Sequence, residues 1–135
     1  MLAAGRIDKG PDNEGVQVGS DVQLKCMLHH RSCNHMMWSK TKLSNTIVQI
    51  YTAGIMLPPY GNPGSRYNVS VSPQRECTLS IGRVEPDDAG SFTCTDVTPG
   101  SVTQLTKGAA LTVIGMCLAF SMLNIFMVQY MTAFQ

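Results

Sequence analysis

The chain has 135 residues, which is one domain's worth of core and too little for a two-domain enzyme. Ten Lys and Arg against nine Asp and Glu leave a net charge of +1, with 14% charged residues. No basic stripe or acidic tail therefore points to a nucleic acid or a polycation as partner. Residues 1–13 lack the apolar stretch of a secretory signal and are expected to be a disordered segment with the signal peptide missing. From Glu14 onward the apolar residues recur with period two, and turn residues interrupt them at short intervals, which predicts an all-β domain over 14–113. Val16, Val18, Val22, Leu24 and Cys26 form one alternating face, broken by the turn Gly19-Ser20 into an edge strand and a full strand. Met36 and Trp38 begin a third strand, and the β-branched run Thr46–Thr52 a fourth. Leu57–Gly64, rich in Pro and Gly, is loop. Tyr67, Val69 and Val71 alternate again, as do Cys77, Leu79 and Ile81. The connection Glu85–Gly90 leads to Phe92 and Cys94 on one face, and a last strand starts near Val102 and ends with Leu111 and Val113.

After Lys107 no Asp, Glu, Lys, Arg or His occurs, and residues 114–135 form an uncharged run. As a helix at ~1.5 Å per residue, its 22 residues reach about 33 Å, enough for the ~30 Å hydrocarbon layer. It is a candidate transmembrane helix. Gly115 and Ala119 suit close helix packing there, with Asn124 as an interhelical donor, and the alternative is incidental small residues. Four of the five cysteines lie in the polar part, an even number that suits two disulfides in an oxidising compartment. The sequon Asn68-Val69-Ser70 agrees, marking Asn68 as a candidate glycosylation site on an extracellular domain.

Cys26, Trp38 and Cys94 in order, with Asp88-Ala89-Gly90-Ser91-Phe92-Thr93 before the second cysteine, resemble the immunoglobulin variable-type (V-set) domain. The resemblance implies a two-sheet Greek-key sandwich in which Cys26 and Cys94 pair across the core beside Trp38, with Leu79 and Phe92 packed around them. It also implies an ion pair between Arg66 and Asp88 that closes one end of the sandwich. Phe92 departs from the family's tyrosine corner, so a less rigid turn is expected there. The segment after Trp38 lacks a pairing glutamine and Lys107–Ala110 lacks the Phe-Gly-x-Gly joining motif, which disfavours a rearranged antigen receptor. Cys33 and Cys77 are left for a second bridge; the alternatives are a buried free thiol at Cys77 and an intermolecular bridge through Cys33.

His29, His30, Cys33 and His35 offer zinc-type donors, but their spacing matches no closed ligand framework, so no metal is expected. With no nucleophile-and-base pair, phosphate loop or carboxylate dyad, the chain reads as a non-enzyme without cofactor. Function then falls to the exposed face and loops. With Trp38, Phe92 and Cys94 inward, Met37, Ser39, Thr41, Thr93 and Thr95 are expected outward, with Tyr51 near Met37 on the neighbouring strand. The loops His29–His35 and Thr98–Ser101 would rim that face. The expectation is a cell-surface recognition module at the plasma membrane, single-pass through 114–135 with its domain outside. It would bind another protein, homophilically or heterophilically, by adhesion or as an innate immune-type receptor or co-receptor. The alternatives are a secreted or lipid-anchored binding module and a truncated antigen-receptor-like variable domain.

Overall fold

The computed structural model describes residues 6–100 and 105–115. Strands are β1 (Ile7–Lys9), β2 (Glu14–Gln17), β3 (Val22–Leu28), β4 (Met36–Lys42), β5 (Ile47–Thr52), β6 (Ile55–Met56), β7 (Tyr67–Val71), β8 (Cys77–Ile81), β9 (Gly90–Asp96) and β10 (Thr106–Ile114). They build two sheets, a four-stranded one in the order β1-β3-β8-β7 and a six-stranded one in the order β2-β10-β9-β4-β5-β6. Every pairing is antiparallel except β2 with β10. The extra strands β5 and β6 beside β4 give the variable-type arrangement. Two single-turn 3₁₀ helices, Cys33–His35 and Pro86–Asp88, occupy connections.

Alternation drives the packing. In β3 the residues Val22, Leu24, Cys26 and Leu28 are buried while Gln23 and Lys25 are exposed, and the facing sheet contributes Met36, Trp38, Phe92, Cys94 and Leu111 to the same core. Cys26 and Cys94 are joined across the two sheets, 68 positions apart in sequence, a closure that costs the unfolded chain roughly 4 kcal/mol of loop entropy. Cys33 and Cys77 are joined as well, with Cα atoms 5.8 Å apart. Cys77 stands directly opposite Cys26 in the β3–β8 ladder, so the two bridges lie side by side.

The structure differs from the sequence expectation at the N-terminus. Within the segment expected to be disordered, Ile7–Lys9 is a strand on β3, with Ile7 buried. The alternating face from Val16 to Cys26 is also split: β2 pairs with β10 in the large sheet, whereas β3 belongs to the small one. The chain crosses between sheets at Gly19-Ser20, held by Gly19 donating to the Val84 carbonyl at 2.8 Å. The expected strand start near Val102 lies outside the described residues. So does the candidate span from Met116 onward, with Ala119 and Asn124; among the described residues no helix is long and apolar enough to cross a membrane.

Candidate recognition surface

Strand alternation fixes the outward neighbours of each buried residue. Trp38, Phe92 and Cys94 are fully buried, which turns Met37, Ser39 and Thr41 of β4 and Ser91, Thr93 and Thr95 of β9 to the outer side of the large sheet. The ladder sets them in rows. Met37 faces Thr52 and Thr95, and Thr95 faces Thr106; Ser39 faces Gln49 and Thr93, and Thr93 faces Gly108; Thr41 faces Ile47 and Ser91, and Ser91 faces Ala110. None of these side chains is ionisable at neutral pH. The result is a sheet face of short hydroxyls and small residues, bordered on the β5 side by the exposed Ile47 and Ile55.

Two of the expected contact residues are hidden on this face. Ser39 and Thr95 are buried, because short side chains on central strands sink between their neighbours and direct their hydroxyls laterally. Ser39 Oγ shares a 2.6 Å hydrogen bond with Thr93 Oγ1, and Thr95 Oγ1 a 2.9 Å bond with Thr106 Oγ1. Tyr51 is displaced altogether. Expected outward beside Met37, it lies opposite Trp38, where a register shift between Trp38 and Ser39 turns its ring into the core. Its hydroxyl donates to the Cys33 carbonyl at 3.2 Å, and burial raises its pKa. Ile47, Gln49, Ser91, Thr106, Gly108 and Ala110 extend the face instead. Alternation back from Phe92 and Leu111 points to Ser91, Gly108 and Ala110; Ile47 and Gln49 depend on the register shift, which carries no local sequence signal.

The rimming loops are fixed from below. Asp96, fully buried at the end of β9, accepts from Arg31 Nη1 at 3.1 Å and from the Thr98 amide and hydroxyl at 2.9 and 2.6 Å. One carboxylate thereby ties the loop after β3 to the loop after β9. His29 Nδ1 meets the Asp8 carboxylate at 3.0 Å, which holds Asp8 below its ordinary pKa, while the His30 ring lies tilted against His29 and Cys33 is committed to Cys77. Among the described residues no group of three or more His, Cys, Asp or Glu side chains could hold a metal ion. Asn68 is exposed on β7, an edge strand of the small sheet, facing away from the hydroxyl surface.

The opposite end of the sandwich closes on Asp88. Arg66 Nη1 and Nη2 donate to its two carboxylate oxygens at 2.6 and 3.1 Å, the Tyr67 hydroxyl donates at 2.7 Å, and the Glu85 amide at 2.7 Å. Burial pushes the carboxyl pKa up, but these donors outweigh it and hold Asp88 below its ordinary value. Burial together with the Asp88 hydrogen bond drives the Tyr67 phenol far above its own. Tyr67 therefore supplies this turn with a hydroxyl donor from a different strand, where Phe92 has none. Lys40, also buried, lays its stem along the core and donates from Nζ to the Asp87 carbonyl at 2.7 Å, with its ammonium 5.4 Å from the Phe92 ring centroid. Burial lowers its pKa.

A shallow hollow of ≈ 340 Å³ lies against Thr41, Leu43, Gly90, Ser91 and Ala110, with Lys42 also among its lining residues. Flat faces and shallow hollows suit a macromolecular contact rather than the engulfing of a small ligand.

Comparison with known proteins agrees with this architecture. No curated protein matches the sequence. Among solved structures, one similar chain comes from work on the structural basis of T cell specificity and activation by the bacterial superantigen toxic shock syndrome toxin-1. It has a TM-score of 0.64 and 19% identity, covering 84% of this chain and 100% of that one. A second belongs to a mutant complex of titin M10 with an obscurin-like 1 Ig domain, with a TM-score of 0.60 and 18% identity, covering 86% of this chain and 98% of that one. At these identities the likeness shows the fold alone. The family model for the immunoglobulin V-set domain matches residues 9–114, most of the chain, and the chain belongs to that family.

Proposed function

We propose that this V-set domain is the extracellular part of a single-pass plasma-membrane protein and binds another protein through the outer face of its large sheet. Adhesion and immune-type co-reception are the two roles this covers. The carrying observation is the uncharged face itself, since the core of a protein interface is depleted in charge and the Ser39–Thr93 and Thr95–Thr106 hydroxyls of this face already satisfy one another, which lowers the cost of dehydrating them. The sequon supports the same orientation: Asn68 is exposed on the other sheet, so a glycan there leaves the large face open. The paired cysteines suit an oxidising compartment, and the uncharged run 114–135 suits a span.

The test displays the full chain on mammalian cells behind an added signal peptide and measures adhesion to a panel of cells, before and after phosphatidylinositol-specific phospholipase. Lipase-resistant surface staining, with binding abolished by Ala110→Arg or Gln49→Arg and kept by Gln23→Arg on the small sheet, is the expected result. Binding lost with Gln23→Arg and indifferent to Ala110→Arg would move recognition to the other sheet. Release by the lipase, or secretion, would replace the span with a lipid anchor or a soluble module.

A further inference from the structure

The end of the sandwich at which β10 finishes collects exposed apolar side chains. The Val18 amide donates to the Ile114 carbonyl at 3.0 Å, so the residue after β2 and the last residue of β10 are neighbours. The β4–β5 hairpin tip is at this end too, because Lys42 faces Gly90 and Gly90 faces Leu111. There Leu43 is 78% exposed, Ile114 51% and Val18 36%, and Ile47, just past the hairpin, 70%. A single exposed leucine needs no account, but several at one end of a small domain do. A hairpin tip is also where polar turn residues are the ordinary choice.

What covers this end is indicated by the chain that leaves it. Only Gly115 separates Ile114 from Met116, where the uncharged run continues, so a span that begins there would leave no stalk. If that run spans the bilayer, the end carrying Val18, Leu43 and Ile114 arrives at the headgroup layer, within the few-ångström reach of an apolar side chain. Charge selects the lipid. Lys42 and Arg83 are exposed at this end alongside Asp21, Glu85 and Asp87, a mixture with no net attraction for an anionic surface.

We propose that Val18, Leu43 and Ile114 form a lipid-contact seat that holds the domain on zwitterionic phospholipid. The proposal rests on the membrane reading of 114–135. Seated in this way, the strands stand along the membrane normal and the hydroxyl face looks sideways, parallel to the membrane surface.

The test reconstitutes the full chain, with Cys117→Ser to remove the thiol in the run, into phosphatidylcholine vesicles. An environment-sensitive fluorophore is attached at Leu43→Cys, at Val18→Cys, or at Ile55→Cys near the opposite end. The expected result is a chain that resists carbonate extraction and shows blue-shifted emission, quenched by spin-labelled lipid, at 43 and 18 but not at 55. An extraction-resistant chain whose labels at 43 and 18 are as aqueous as that at 55 would overturn the seat and leave the span standing. Extraction of the chain by carbonate would overturn both. Non-reducing peptide mapping of the Cys26–Cys94 link confirms that each variant is folded.

Discussion

The two ends of this sandwich are closed by different chemistry. At the β10 end the turn Glu85–Ala89 is self-satisfying: a 3₁₀ turn over Pro86–Asp88 with a reciprocal capping box brings the Asp88 carboxylate under Arg66 and Tyr67. At the opposite end the loop after β3 has no ladder to hold it and contains His30 at a positive φ. It is fastened instead by the Cys33–Cys77 link to β8, the neighbour of β3 in the small sheet, and by Arg31 on Asp96. A short turn closes with hydrogen bonds it makes locally, whereas a longer loop over the rim needs a tie from outside. Acid should therefore loosen one end and reductant the other.

The largest effect is expected from breaking the first closure. Asp88→Ala leaves Arg66 facing a buried gap and removes the acceptor for Tyr67 and for the Glu85 amide, and urea unfolding should show a loss of about 3–5 kcal/mol. An unchanged midpoint would show that this end is held by packing alone. Next is the other closure. Cys33→Ala with Cys77→Ala opens a link between residues 44 positions apart, with an expected loss of about 2–4 kcal/mol. Amide exchange should rise in 29–36 and stay as it was in 85–90. Loss of protection spread evenly over both ends would erase the distinction between them.

Acid sharpens the contrast. Asp88 in the folded protein is held below its ordinary value of 3.8, so the unfolded chain binds the proton more readily. The stabilisation is complete above about pH 5 and drains away as the pH falls through the lowered folded value. Thermal unfolding of the wild type should drop steeply below about pH 4. Asp88→Asn should flatten most of that drop, with Asp8 and Glu76, which pair with His29 and Lys9 on the surface, leaving a small remainder. A slope that Asp88→Asn leaves unchanged would assign the acid response elsewhere.

Most of the sandwich was legible because alternation and the Cys26, Trp38 and Cys94 spacing are local or nearly local signals. β1 was not, since Ile7 is its one buried residue and its stability comes from pairing with β3, a distant segment. Tyr51 was misplaced because alternation assumes an unbroken register, and the shift beside Trp38 reverses its direction. Ser39 and Thr95 were read as contact residues from direction alone, although direction does not give accessibility when the side chain is short and its strand central. The Tyr67 hydroxyl escaped notice for a third reason. Phe92 shows in sequence that the corner lacks its hydroxyl, but the replacement comes from another strand, and only the fold brings Tyr67 to Asp88.

That replacement leads to the smallest expected effect, and to the most discriminating one. Tyr67→Phe keeps the ring, which packs against Tyr60 with centroids 4.7 Å apart, and deletes a single 2.7 Å donation to a carboxylate. A hydrogen bond to a charged acceptor contributes about 1.5–3 kcal/mol, and here Arg66 and the Glu85 amide still satisfy Asp88, so the loss should sit near the bottom of that range. Adding Phe92→Tyr asks whether a hydroxyl on β9 can take over. If the double variant recovers the loss, the two tyrosine positions are alternative solutions to one closure. If Phe92→Tyr destabilises further, the Lys40 ammonium over the Phe92 ring has fixed the corner in its present form, and Tyr67 is the donor this end depends on.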